Sequence, residues 1–208
     1  MTVVSEALRR SGLAQQLSAP LTSQQEERLI TLIELRAAWS KTHNLSGPKA
    51  LAIVGTDIAD AIAVWLCYDP KLALLDVGSG SGVPGLMVAC LTPEHPVHLV
   101  EPIAKRCAFM RTAAHRLELS QVHIHRGRWP SETLDELGDV TPISRAVVSP
   151  EAWPLLADRP HISSVMQMLA LQRPMWPLEQ YHLVQEVSYQ DPDGGDRLVR
   201  RWKRILDT

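Results

Sequence analysis

The sequence predicts an α/β protein: a doubly wound sheet, mostly parallel with an antiparallel C-terminal strand, preceded by an N-terminal helical segment. Three observations lead there. From Leu72 onward, short apolar runs alternate with helical patterns, the texture of strand–helix–strand crossovers and a parallel sheet. Before that point, residues 1 to about 66 carry helical spacing. Near the C-terminus, Asp191-Pro192-Asp193-Gly194-Gly195-Asp196 stands between two β-like stretches and reads as a hairpin connection. The change of texture divides the chain into a helical segment, 1–66, packed on a second unit, 67–208.

Each element has its own signal. Ser23 and Glu26 are spaced as a capping box, and Leu29, Leu32, Ile33, Leu35 and Trp39 recur at helical spacing, so a helix covers 24–41. Gly47 and Pro48, in Asn44-Leu45-Ser46-Gly47-Pro48, break it, and a second apolar helix covers 49–66. Strands over Leu72–Val77, Val97–Val100, Val122–His125 and Pro142–Val148 then alternate with helices over Val83–Leu91 and Ile103–Leu119. Ser164–Leu171, Leu183–Tyr189 and Leu198–Ile205 complete an open sheet that ends in an antiparallel pair.

The formal charge of −2 excludes a globally basic nucleic-acid coat. It conceals a local excess, because residues 101–129 hold Lys105, Arg106, Arg111, Arg116, Arg126 and Arg128 against Glu101 and Glu118. A basic patch on an otherwise acidic protein suits selective binding of a polyanion; the plainer reading is a solvated helix face. No uncharged apolar run is long enough to span a bilayer, and Met1–Gly12 carries Glu6, Arg9 and Arg10 with no apolar leader. The expectation is a soluble cytoplasmic protein with no membrane partner. Cys67, Cys90 and Cys107 are odd in number and far apart, which reads as reduced, buried thiols. His123 and His125 share one side of a strand, yet no third ligand stands nearby in the pattern and no metal is expected.

The most informative stretch is Leu74-Leu75-Asp76-Val77-Gly78-Ser79-Gly80-Ser81-Gly82-Val83-Pro84-Gly85, a strand running through a glycine turn into a helix. Glycines in that turn admit positive φ and remove the Cβ atoms that hold a ligand off the backbone. Pro84 fits the first helical turn, so the loop leads into a helix N-terminus with unpaired donors. Gly80 to Gly85 formally satisfies the dinucleotide fingerprint, but a pyrophosphate would meet Asp76, which makes an NAD-dependent oxidoreductase the weakest reading. Glu101 ends the next strand, where a carboxylate accepts from both ribose hydroxyls of an adenosine. The alternative duties are helix capping for Asp76 and an N-terminal helix charge for Glu101.

The spacing of Asp76, Gly78, Gly80 and Gly82 resembles the first motif of S-adenosylmethionine methyltransferases, whose acid pairs with the cationic end of the cofactor. Leu75 to Leu86, with Leu99-Val100-Glu101-Pro102-Ile103-Ala104-Lys105-Arg106 and Phe109-Met110-Arg111, resembles more closely the bacterial 16S rRNA small-subunit methyltransferase G family, also called glucose-inhibited division protein B. Trp39-Ser40-Lys41-Thr42-His43-Asn44-Leu45-Ser46 is similar to that family's W-N-x-x-x-N-L-T, and Ile143-Ser144-Arg145-Ala146 to its I-S-R-A. Two segments depart: Thr56-Asp57-Ile58-Ala59-Asp60-Ala61 stands for R-H-I-L-D-S, and Leu171-Gln172-Arg173 for L-K-G.

The resemblance implies a Rossmann-like methyltransferase domain over 67–208 that methylates N7 of a guanine in 16S rRNA, using S-adenosyl-L-methionine and acting as a monomer on rRNA or the small ribosomal subunit. Other readings keep the cofactor and change the acceptor to another RNA or a small molecule, or lose catalysis altogether. Cofactor contacts are expected at Asp76, Gly78, Ser79, Gly80, Gly82, Glu101, Pro102, Gly127, Arg128, Trp129 and Arg145. Arg145 is also the catalytic candidate, positioning guanine from the strand end, with a salt bridge as the plainer duty. Trp129 covers the adenine or belongs to the core. Lys105, Arg106 and Asn44 are expected on RNA. Trp153, Trp176 and Trp202 read as core more readily than as stacking platforms.

Overall fold

The computed structural model describes residues 1–43, 53–145, 147–170, 179–192 and 194–205. Helix α1 (Val3–Ser11) is capped by the Thr2 hydroxyl, which accepts from Ser5 N, and stops at Gly12 in the left-handed region. Helix α2 (Ser23–His43) includes the expected 24–41, with its cap one residue earlier than expected. Thr22 Oγ1 accepts from Gln25 N at 3.2 Å while Gln25 Oε1 accepts from Thr22 N at 2.9 Å, so the reciprocal pair is Thr22/Gln25 rather than Ser23/Glu26. The Glu26 carboxylate is engaged elsewhere, by the Thr2 hydroxyl. Helix α3 (Val54–Cys67) takes the place of the expected 49–66, whose first residues lie outside the described chain.

Strands β1 (Ala73–Val77), β2 (Val97–Glu101), β3 (Val122–Arg126) and β4 (Val140–Ser144) form a parallel sheet in the order β3-β2-β1-β4, with helices α4 (Gly85–Leu91) and α5 (Ala104–Arg116) as crossovers. Two short helices, α6 (Glu132–Asp135) and α7 (Trp153–Ala157), precede and follow β4. Strands β5 (Ser164–Ala170), β6 (Tyr181–Gln190) and β7 (Asp196–Arg204) form an antiparallel sheet in the order β5-β7-β6, with β5 beside β4. The antiparallel part is therefore three strands and not a pair. The Asp191–Gly195 turn joins β6 to β7 as the sequence suggested, with Gly195 N on Asp191 Oδ1 at 3.0 Å.

Alternation in the strands splits the core between two faces. Leu74, Val97, Leu99 and Ile143 point to the side covered by α2, α3, α4 and α5. Leu75, Val77, Val100 and Val140 point to the other side, with Trp129, Trp153 and Trp202. Trp153 and Trp202 are thus core residues, as read from sequence; Trp176 lies outside the described residues. Helix α2 buries Leu29 and Leu32 completely, and its Trp39 meets Phe109 of α5 edge-on at 5.7 Å. The three cysteines are free and buried, and among the described residues no helix is long and apolar enough to cross a membrane.

Phe109 is the one phenylalanine of the chain, is 1% exposed, and bridges α5 to α2. Phe109→Ala is expected to cost about 3–5 kcal/mol of stability, read as a lower urea midpoint with unchanged slope, and Phe109→Leu distinctly less. Equal losses for both would place its stabilisation in the ring contact rather than in the filled volume.

Candidate active site

In register Val77 lies beside Val100 and Ser144, and Glu101 beside Arg126, so β1–β4 end at one crest. Strand β1 has β2 on one side and β4 on the other, so the strand order reverses beside it, the position at which open α/β sheets hold ligands.

Asp76 is fully buried, and its Oδ2 accepts from Gly85 N at 2.9 Å, fastening the start of α4 to β1. Its Oδ1 is buried with no partner. Burial pushes the carboxyl up to about 6 against the pull of the Gly85 amide and of Arg145, with Glu101 pushing it further up. Gly85 makes this contact possible, because a Cβ there would sit 2.7 Å from the Asp76 carboxylate and 2.6 Å from Leu99. Glu101, 2% exposed, braces the loop from the other side. Its Oε2 accepts from Gly80 N and its Oε1 from Ile103 N, both at 2.9 Å, and Arg106 Nη1 stands 3.5 Å from Oε2. Both carboxylates therefore perform the helix and loop duties that were the plainer alternatives.

A cleft of about 520 Å³ opens at this crest. Of the sequence-predicted contacts, Gly78, Glu101, Pro102, Gly127, Arg128, Trp129 and Arg145 line it, together with Arg106. Asp76, Ser79, Gly80 and Gly82 are not in its lining. Asp76 Oδ2 holds the start of α4; Ser79 turns inward, its hydroxyl on Asp76 O at 2.7 Å. Gly80 gives its N–H to Glu101, yet a Cβ on it, at φ +58°, would meet nothing nearer than 3.9 Å, and one on Gly127 nothing within 4 Å. At Gly82 the Cβ position is filled by Leu86. Trp129 belongs to the core, being 7% exposed and packed in the second core cluster with Nε1 on Leu156 O at 3.3 Å, and it also forms part of the cleft wall. Sequence reading passed over Ile103 and Val147, two exposed apolar side chains of the lining. Strand-end position was the available signal for Val147, three residues beyond β4.

Arg145 is not a surface ion pair. Its Nη1 donates to Asp57 Oδ1 at 2.6 Å and to Asp60 Oδ2 at 3.0 Å, both on α3, while Arg36 of α2 donates to Asp57 Oδ2 at 2.9 Å. Tyr189 Oη reaches Asp60 Oδ1 at 2.6 Å. Burial pushes the Asp60 carboxyl up and opposes ionisation of Arg145; for the guanidinium the two aspartates outweigh it. Asp57 and Ala61, two departures from the family pattern, are thus buried and line no part of the cleft.

Lys105 lies exposed on α5 with Arg116, while Arg106 belongs to the cleft. Asn44, Gln172 and Arg173 lie outside the described residues. His123 and His125 do share a face, on which His98 stacks against both rings, its Nδ1 2.9 Å from His125 Nε2; burial, then its two neighbours, depresses His98 to about 4.

The family model described as rRNA small subunit methyltransferase G matches residues 25–182. A ribosomal RNA small subunit methyltransferase G from Wolinella succinogenes is 35% identical over 161 residues, 74% of this chain and 81% of that protein. The one from Psychromonas ingrahamii is 30% identical over 205 residues, 93% of this chain and 96% of that protein. Among solved structures, TYW2 of M. jannaschii in complex with AdoMet aligns with a TM-score of 0.52 and 15% identity, covering 72% of this chain and 76% of that one, a likeness of fold.

Asp76 generates a pH prediction. Its ordinary carboxyl value is 3.8, and the folded value is about 6, so the folded protein binds this proton more tightly than the unfolded chain does. The associated stability is complete below about pH 4 and is lost as pH rises through about 6. Asp76→Asn removes that dependence while keeping an acceptor for Gly85. Relative to the parent, the variant is expected to gain up to about 3 kcal/mol between pH 4 and pH 7, read from urea midpoints at both ends. A difference that does not change with pH would mean that the Asp76 carboxyl keeps its ordinary value.

Proposed function

The chain belongs to the rRNA small subunit methyltransferase G family, and we propose that it transfers a methyl group from S-adenosylmethionine to N7 of a guanine in 16S ribosomal RNA, as a cytoplasmic monomer. The observation that carries the reading is the glycine loop braced by a buried carboxylate at the end of β2, with Arg145 in the lining of the same cleft. The open Cβ positions at Gly80 and Gly127 fit a group lying directly on backbone, and the unpartnered Asp76 Oδ1 places negative potential behind the loop that suits a cationic ligand. In the same reading residues 1–66 form a helical segment packed on a methyltransferase domain, 67–208, because α1, α2 and α3 share one core with α4 and α5.

When bound, the cofactor supplies an electrophilic methyl on a sulfonium. The chain's residues then have three duties. Gly78, Glu101, Pro102 and Gly127–Trp129 hold the adenosine end, with Glu101 taking the ribose hydroxyls on lone pairs not used by Gly80 and Ile103. Asp76 acts through α4 and the loop rather than by contact. Arg145, with Nη1 fixed by two aspartates, turns its remaining donors to the acceptor. Guanine N7 has an in-plane lone pair and no proton to lose, so positioning and exclusion of water suffice and no general base is required. Lys105 and Arg106 contribute phosphate contacts beside the cleft, and Asn44 is kept as an RNA contact from its place in the resemblance.

Small subunits from cells that do not make this methylation, incubated with the protein and labelled S-adenosylmethionine, are expected to gain N7-methylguanosine at one position of 16S rRNA, mapped by cleavage at the modified base. Binding of S-adenosylhomocysteine without any N7 methylation would overturn the acceptor assignment. Arg145→Lys keeps a cation beside Asp57 and Asp60 but loses the planar fork. Its single-turnover rate is expected to fall about tenfold or more, with S-adenosylhomocysteine affinity within about threefold of the parent. Proportional loss of both would move Arg145 into the cofactor site.

A further inference from the structure

A second cavity, of about 380 Å³, lies against the first and shares Arg145 and Val148 with it. Its volume is within the range of small-ligand sites, roughly 300–1,000 Å³. It extends from the end of β4 to β5, on the side of Arg145 away from the glycine loop.

Two residues of its lining carry a buried polar atom without a partner, Ser144 Oγ and Gln167 Oε1. Gln167 is 2% exposed. Its amide orientation is not open, because the nitrogen donates to Pro150 O at 2.8 Å, an atom that can only accept. The oxygen is therefore fixed as an orphan acceptor. Unpaired buried acceptors are costly and rare in folded proteins, and one in the wall of a cavity calls for a donor from whatever fills it. Trp153 and Met168 supply apolar surface beside it.

We infer that this cavity receives the target base turned out of its RNA, with Gln167 Oε1 accepting from the 2-amino edge of guanine, so that Gln167 is a specificity-determining residue. The inference rests on the guanine-N7 reading above and adds the means of recognition. On guanine, the 2-amino donor lies on the minor-groove side, across the ring system from N7 and O6 on the major-groove side. A base seated with its donor edge on Gln167 turns N7 and O6 toward the wall shared with the first cavity, where Arg145 stands and the methyl group arrives. Adenine presents an acceptor at N1 and no 2-amino group, and so leaves the Gln167 oxygen unpaired. Acting on a base by turning it out of its stack is the general solution for enzymes that must reach a base atom.

The test removes the two partners separately. Small subunits are reconstituted with 16S rRNA carrying either guanosine or inosine at the methylated position; inosine lacks only the 2-amino group and retains N7. Single-turnover methylation is measured for the parent and for Gln167→Leu, with Gln167→Met, unbranched and of similar volume, as the second apolar variant should leucine disturb β5. S-adenosylhomocysteine affinity is measured alongside. The parent is expected to methylate the inosine particle about tenfold more slowly than the guanosine particle. The variants are expected to treat the two alike, at about the parent's inosine rate, with cofactor affinity unchanged. The same inosine penalty in parent and variants would overturn the proposal, as would no penalty in the parent. A parent that binds S-adenosylhomocysteine yet methylates neither particle would instead refute the acceptor reading on which the proposal stands.

Discussion

Asp57 and Asp60, on consecutive turns of α3, gather side chains from four distant parts of the chain at one place. Arg36 arrives from α2, Tyr189 from β6 and Arg197 from β7, each reaching one of the two carboxylates, and Arg145 from the end of β4 reaches both. Both aspartates are essentially inaccessible to water. Buried charges are tolerated only when their lone pairs are met by donors, and removing one partner costs far more than forming the pair gains. Such a network therefore contributes less to net stability than to fixing a single arrangement. The arrangement fixed here is the placement of the guanidinium between two cavities. The N-terminal helices are thus mechanically part of the site, although among the described residues they supply none that line the cleft.

A second pair of carboxylates organises the other half of the crest. Asp76 draws the first amide of α4 onto β1, and Glu101 draws Gly80 onto β2, so the glycine loop is held at both ends by side chains from adjacent parallel strands. Each bond takes a backbone N–H that a loop or helix start would otherwise leave to water. Strand register sets the distance between the two anchors, since Asp76 pairs with Leu99 and Val77 with Val100. Loop, helix N-terminus and strand ends form one rigid piece before any ligand is considered.

How much of this was legible in the sequence depended on how far apart the interacting residues stand. Leu74 to Gly85 announced strand, turn and helix because every determinant is local: apolar alternation, glycines, an acid at the strand end. Helix α2 was legible for the same reason, but its cap was not, since Thr22/Gln25 and Ser23/Glu26 satisfy one pattern and the choice falls to Glu26 being taken by Thr2. The strand positions of His123 and His125 were readable, whereas His98 became their neighbour only through the β2–β3 register. Arg145 was found from its place at a strand end; its aspartates lie more than eighty residues away in sequence, and nothing near them marks the pairing. Gln167 read as one more residue of an irregular strand, because an orphaned acceptor exists only once the cavity around it has formed.

The Asp57 contacts also constrain how this chain can change. Position 57 carries aspartate where the related pattern carries histidine, and here that carboxylate is shared by Arg36 and Arg145. A histidine there would set an imidazole against the buried Arg36 and the half-buried Arg145 and leave both without their common anion. Histidine is therefore not a neutral alternative at position 57, since it would remove the carboxylate that Arg36 and Arg145 share. A difference that looks in the sequence like erosion of a motif is in the folded protein the common anion of two guanidinium groups.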